Sequence, residues 1–192
     1  FSSGLKPTST FLIGKCYSTN SATFDKIRKM GVNIDDNSSA FNSYLSFDEQ
    51  FKDYVDNFIN NSLKQIGKLG SKKIILLDDG GQLISIFNSL ENYNFDNVAA
   101  VEQTSSGYEK ISRLDLNFPV INIARSKTKL EVESPIIADI VVKEIKNFFK
   151  RFKLFDPKIL VVGNGYIGNN ISKLLARRYN CNVDLYDQKT DS

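Results

Sequence analysis

Histidine and tryptophan are both absent from this 192-residue sequence. Without an imidazole the chain alone cannot run Ser–His–Asp or Cys–His catalysis, nor build the common histidine-bearing zinc sites. Cysteine is scarce. Cys16 and Cys181 are too few for a disulfide framework and, without histidine, too few for a structural zinc set. They read as cytosolic thiols, and the expected location is cytoplasmic. No apolar run reaches the roughly 18 residues of a membrane span, and no basic-then-apolar leader opens the chain. A dominant charge is lacking as well. The 25 basic and 22 acidic side chains leave a net charge of +3, too little to advertise nucleic acid or an anionic membrane as a partner. With 41% hydrophobic and 24% charged residues the chain is not a disordered one. It starts at Phe1 rather than Met and closes on the polar stretch Gln188 to Ser192, which reads as a fragment of a longer product.

What is present is an alternation of strand-like and helix-like segments. After a loose, polar lead-in over residues 1–10, Phe11 to Ile13 is a short strand candidate and Ser21 caps a helix through Met30, stopped by Gly31. Val32 to Ile34 is a further short strand. Ser46 with Glu49 forms a capping-box pattern, and Phe47, Phe51, Val55, Phe58, Ile59, Leu63 and Ile66 recur at helical spacing up to Gly70. The aliphatic run Ile74 to Leu77 is of buried-strand type. Helices over 83–90, 105–114, 134–152 and 167–179 then alternate with strands over 98–101, 120–123, 159–162 and 183–186, Pro135 taking a permitted first-turn position. The pattern predicts an α/β protein: a doubly wound parallel sheet, Rossmann-like, in three αβα layers over residues 11–150, then a partial second Rossmann unit over 151–192.

The strongest local signal is Gly163-Asn164-Gly165-Tyr166-Ile167-Gly168, which follows a strand and opens a helix. In a dinucleotide fingerprint Gly163 permits the tight turn, Gly165 lets the backbone approach a pyrophosphate, and Gly168 lets helix and strand pack closely. The helix N-terminus supplies amide donors for phosphate. Asp187 closes the next strand about twenty residues on, where an acid meets the adenosine ribose of NAD and repels the extra phosphate of NADP. The same glycines could simply pack a helix onto a sheet; strand, helix and distal acid together favour the cofactor reading.

Three further clusters end strands. Asp78-Asp79-Gly80-Gly81 could orient sugar hydroxyls, hold Mg²⁺ with further oxygen ligands, or serve as a turn and helix cap. Glu102-Gln103-Thr104-Ser105-Ser106-Gly107 suits a polar ligand, though hydroxyls before a helix are also ordinary caps. Lys127-Thr128-Lys129, preceded by Asn122 and Arg125, offers amines to a ligand or to solvent.

Taken in order, these segments resemble the S-adenosylhomocysteine hydrolase family from about Phe11 to Asp187. The family's Asp-Asp-Gly-Gly-Asp-Leu is matched by Asp78 to Leu83, and its Glu-Glu-Thr-Thr-Thr-Gly by Glu102 to Gly107. Its Asn-Val-Asn-Asp-Ser-Val-Thr-Lys-Ser-Lys-Phe-Asp-Asn is matched by Asn122 to Ser134, and its glycine-rich NAD loop by Gly163 to Gly168. Tyr17-Ser18-Thr19 echoes a Phe-Ser-Thr turn. The resemblance implies tightly bound NAD, an adenosine-type substrate oxidised at its 3′-hydroxyl to acidify the neighbouring C4′ proton, and a place in one-carbon metabolism. It gives Asp79 and Lys129 to the substrate ribose and proton transfer, Gln103 and Glu133 to the substrate edge, and Thr104, Ser105 and Ser106 to the nicotinamide end of NAD. Gly163, Gly165, Gly168 and Asp187 would hold its adenosine end.

The departures point toward weakened chemistry. Gln103 stands where the family has its second glutamate, Glu133 replaces an aspartate, Ser134 an asparagine and Gln82 another acid. The family's catalytic histidines are missing, and its dinucleotide domain runs well beyond its second strand. Each lost acid–base group typically costs about 10²–10⁴ in rate. The expectation is therefore a divergent adenosylhomocysteinase-like protein with weak or no hydrolase activity in this chain, taking a nucleoside-type small molecule and no nucleic acid. The alternatives are a non-enzymatic nucleoside-binding or scaffold module and, less favoured, a metal-dependent enzyme built on Asp78 and Asp79. An apolar face left bare by missing strands makes self-association as a homo-oligomer an expectation too.

Overall fold

A computed structural model describes residues 4–70 and 73–188. The start of the expected lead-in, the pair 71–72 and residues 189–192 of the polar tail lie outside the described residues. The chain divides into two compact units, one up to Asn122 and one from Ile123.

In the first unit, β1 (Phe11–Leu12) and β2 (Asn33–Ile34) pair in parallel, joined by α1 (Ser21–Lys29). The helix is capped one residue earlier than the sequence suggests, because the Asn20 carboxamide, not Ser21, accepts from the Thr23 amide. Gly31, at φ +88°, lets the chain turn away. The capping box at Ser46 forms as read, with Glu49 accepting from the Ser46 amide and hydroxyl while its own amide donates to Ser46 Oγ. It opens α2 (Phe47–Lys68), whose buried face presents Val55, Phe58 and Ile59.

Next come β3 (Ile74–Asp78), α3 (Gln82–Asn88), β4 (Val98–Glu102), α4 (Ser105–Ile111) and β5 (Val120–Asn122). The three strands form one parallel sheet in the order β3-β4-β5, with Ile74 opposite Val98 and Asp78 opposite Glu102. Alternation along the strands sends Leu76, Val98 and Ala100 into one core with Val55, Phe58 and Ile59 of α2, Ile84 and Phe87 of α3, and Ile111 of α4. Phe87, Tyr93, Phe95 and Phe118 close that core with edge and stacked ring contacts at 5.2–6.2 Å.

In the second unit a π-helical turn (Lys129–Glu133) runs into α5 (Ser134–Phe152), followed by β6 (Lys158–Val162), α6 (Tyr166–Tyr179) and β7 (Asn182–Tyr186). β6 and β7 pair in parallel, Ile159 opposite Val183. The sequence suggests a boundary near residue 150; the structure divides at 122/123 because α5 packs against α6, burying Ala138, Val142 and Leu175. Asp139 of α5 pairs with Lys143 and Arg178, whose hydrogen bonds hold its carboxyl below the usual range.

The class is α/β with parallel sheets, consistent with a Rossmann-like three-layer fold. No helix among the described residues is long and apolar enough to cross a membrane. Ser172 Oγ is buried in α6 without a hydrogen-bond partner. Ser172→Ala should therefore leave the melting temperature unchanged or raise stability by up to roughly 1 kcal/mol; a clear loss would reveal a partner for the hydroxyl.

Candidate functional site

Open parallel sheets bind ligands beyond the carboxyl ends of their strands, and each unit has one such corner built from the expected residues.

In the first unit, Asp78 and Glu102 sit side by side at the ends of β3 and β4, 7% and 0% exposed. Asp78 Oδ2 accepts from the Ile84 amide at 2.8 Å, so this carboxylate caps the start of α3. Burial, with the charge of Glu102 adding, pushes its pKa up to about 6 against that hydrogen bond. Glu102 accepts from the amides of Gly80 (3.2 Å), Gly81 (2.9 Å) and Thr104 (2.7 Å) and from the Thr104 hydroxyl (2.7 Å). One buried carboxylate thus ties the loop after β3 to the loop after β4.

The glycines follow from that lock. A Cβ on Gly107 would lie 2.3 Å from Glu102 Oε1. Gly81, in the left-handed region at φ +72°, comes so close to Gly107 that its Cβ would sit 2.8 Å from the Gly107 carbonyl oxygen. Thr104 caps α4, its hydroxyl accepting from the Gly107 amide while donating to Glu102. Of the expected hydroxyls, Ser105 and Ser106 are the exposed ones.

Asp79 lies on the rim. Lys15, from the loop after β1, donates to the Asp79 carbonyl at 2.6 Å and stands 3.5 Å from its carboxylate. Gln103 is exposed, its amide donating to the Asp78 carbonyl in continuation of the sheet. Asp78 and Asp79 are thus turned to an amide and to an ammonium respectively. No group of three or more Cys, Asp or Glu side chains converges as a metal site among the described residues.

The raised Asp78 pKa has a consequence for stability. Its folded value lies above the ordinary 3.8, so its contribution is fully present below pH 4 and fades as pH rises through 6. Asp78→Asn keeps an acceptor for the Ile84 amide and cannot ionise. Relative to wild type, it should gain up to roughly 3 kcal/mol between pH 4 and pH 7 in urea unfolding. A difference between the two proteins that is flat in pH would refute the assignment.

In the second unit, β6 feeds the turn Gly163-Asn164-Gly165 at the start of α6. Gly163 takes φ +109°, and its amide donates to the Tyr186 carbonyl at 2.7 Å. A Cβ on Gly163 or Gly165 would meet nothing within 4 Å, so the backbone there is open to an approaching group. Gly168 is the opposite case: its Cβ would fall 1.9 Å from the Gly163 carbonyl oxygen, a close approach that only glycine permits. Gly165 caps α6 and, as a glycine, brings no side-chain cap of its own to the head of that helix. Asp187, just past β7, accepts from the Asn164 amide at 2.5 Å and so closes the corner from the neighbouring strand. The open, tight and acidic positions of this corner fit the diphosphate and ribose of a dinucleotide.

Also in this unit, Lys129 Nζ stands 3.6 Å from the Glu133 carboxylate across the π-helical turn, and Ser134 Oγ donates to the Lys129 carbonyl. Such turns re-aim a side chain within an otherwise regular helix.

No family model matches the chain. Two curated proteins are similar to it: the uncharacterized proteins MT0113 and Rv0104 of Mycobacterium tuberculosis, strains CDC 1551 and H37Rv. Each is 40% identical over 192 residues, covering 99% of this chain and 37% of the relative. The chain thus spans little more than a third of the length of the curated relatives it matches.

Sequence reading did not single out Lys15, and it placed Glu102 in a polar cluster without its role as the lock. Lys15 carries no local signal, since it acts on a loop 64 positions away. Glu102 had one: a glycine five positions after an acid at a strand end.

Proposed function

We propose that this chain is an adenosylhomocysteinase-like, NAD-binding α/β protein, divergent, with weak or no hydrolase activity of its own. The observation that carries the reading is the corner at the head of α6, open at Gly163 and Gly165, tight at Gly168 and faced by Asp187. There Gly163, Gly165 and the first amides of α6 would hold a diphosphate, and Asp187 the adenosine ribose. Bound NAD would supply a hydride acceptor. In the same unit Lys129, held by Glu133, is the group proposed to handle a proton. In the first unit Asp79, positioned by Lys15, and the exposed Gln103 offer polar contacts to a nucleoside-type ligand. Both cysteines are unpaired, which suits the proposed cytoplasmic location.

Calorimetric titration and thermal shift test this reading. NAD at 100 times its dissociation constant should stabilise the protein by about 2.7 kcal/mol. NADP should do much less, because Asp187 repels its extra phosphate. No heat and no shift at millimolar NAD would remove the proposal. A second reading, a nucleoside-binding module without catalysis, is favoured by the absence of histidine and by Gln103 in place of an acid. Turnover of S-adenosylhomocysteine would eliminate it.

A further inference from the structure

The sheet β3-β4-β5 has two unlike faces. One carries Leu76, Val98 and Ala100 into the core beneath α2, α3 and α4. The other carries Ile75, Leu77 and Ile121, which are 69%, 73% and 62% exposed. Parallel sheets are ordinarily covered on both faces, and their strands read as continuous apolar runs for that reason. The run Ile74-Ile75-Leu76-Leu77 is of this two-sided kind.

Chain topology explains which face is covered. β3, β4 and β5 follow one another across the sheet in sequence order, joined through α3 and α4. Right-handed crossovers repeated in one direction lay every connecting helix on the same face. Helices reach the opposite face only where the strand order reverses, which requires strands added at the far edge of the sheet. Among the described residues β3 pairs with β4 alone, and the segment around β1 lies close by, with Phe11 and Ile13 packed on the core and Lys15 reaching Asp79.

We propose that the face bearing Ile75, Leu77 and Ile121 is the seat of amphipathic helices contributed by further stretches of a longer polypeptide. The relatives give the occupant substance. They match this chain along 99% of its length, yet nearly two thirds of each relative lies outside the match. A second copy of the chain is the poorer occupant, since face-to-face packing of bare sheets is the habit of antiparallel sandwiches, whereas parallel sheets are covered by helices of their own crossovers.

Cysteine accessibility tests this. With Cys16 and Cys181 replaced by serine, single cysteines are placed at Leu77 and at Ala100, whose side chain lies in the core. The same pair of positions is substituted in the full-length Mycobacterium relative, and maleimide labelling is timed in each protein. The expected ratio of rates, position 77 over position 100, is about 100 in the 192-residue chain and near 1 in the full-length relative. The ratio within the relative is decisive even if the shorter chain proves unstable: fast labelling at position 77 there overturns the proposal. Slow labelling at position 77 in the 192-residue chain at every concentration also overturns it, since the face would then need no further polypeptide. Protection that grows with the concentration of the 192-residue chain would assign the face to a second copy instead.

Discussion

Glu102→Ala is expected to destabilise the first unit by about 3–5 kcal/mol, read from the midpoint of urea unfolding. The carboxylate is fully buried and satisfies the amides of Gly80, Gly81 and Thr104 together with the Thr104 hydroxyl. Alanine leaves the buried Gly81 amide without a partner, at a cost of roughly 1–3 kcal/mol, and strips the part-buried Gly80 and Thr104 donors of theirs. The cavity adds to the loss. Glu102→Gln keeps one acceptor but turns an NH₂ group toward amides, so it should fall between wild type and alanine. Gly107→Ala attacks the same lock from the other side, because its Cβ would meet the Glu102 carboxylate at 2.3 Å. A loss below about 1 kcal/mol for Glu102→Ala would mean that water satisfies the loop amides and that the two loops are not tied.

Gly165→Val is expected to weaken NAD binding by about 100-fold, close to 2.7 kcal/mol, while the unliganded protein stays folded. The two effects separate because Gly165 sits at φ −70° and ψ 178°, backbone that any residue adopts, with open space where its side chain would point. Valine is a poor helix cap and should cost no more than about 1 kcal/mol on that account. Its methyl groups would occupy the place where a diphosphate must approach the amides. Gly168→Ala is the contrasting variant, since its Cβ would collide with the Gly163 carbonyl oxygen and damage the β6–α6 corner itself. Undiminished NAD affinity in Gly165→Val would place the cofactor elsewhere.

Much of the architecture was legible because it rests on local rules. The capping box at Ser46, the helix stop at Gly31, the aliphatic strands and the glycine turn at Gly163 are governed by a few neighbouring residues, and each forms where the pattern puts it. The cap of α1 moved by one residue, from Ser21 to Asn20, because both side chains can cap and geometry chose between them. The π-helical turn at Lys129 had no pattern to announce it, since it precedes α5 and leaves the apolar spacing of that helix intact.

The candidate site was legible only as a set of positions. Sequence by itself determined that acids, hydroxyls and glycines close the strands, and that histidine chemistry is absent, because residue identity and strand ends suffice for both. Only the tertiary structure decided what those groups do. Asp78 caps a helix, Glu102 binds two loops together and Lys15 reaches Asp79 from a distant loop. The physical reason is that a carboxylate's role depends on its burial and on which donors surround it. Both are fixed by strand register and by contacts between segments far apart in the chain.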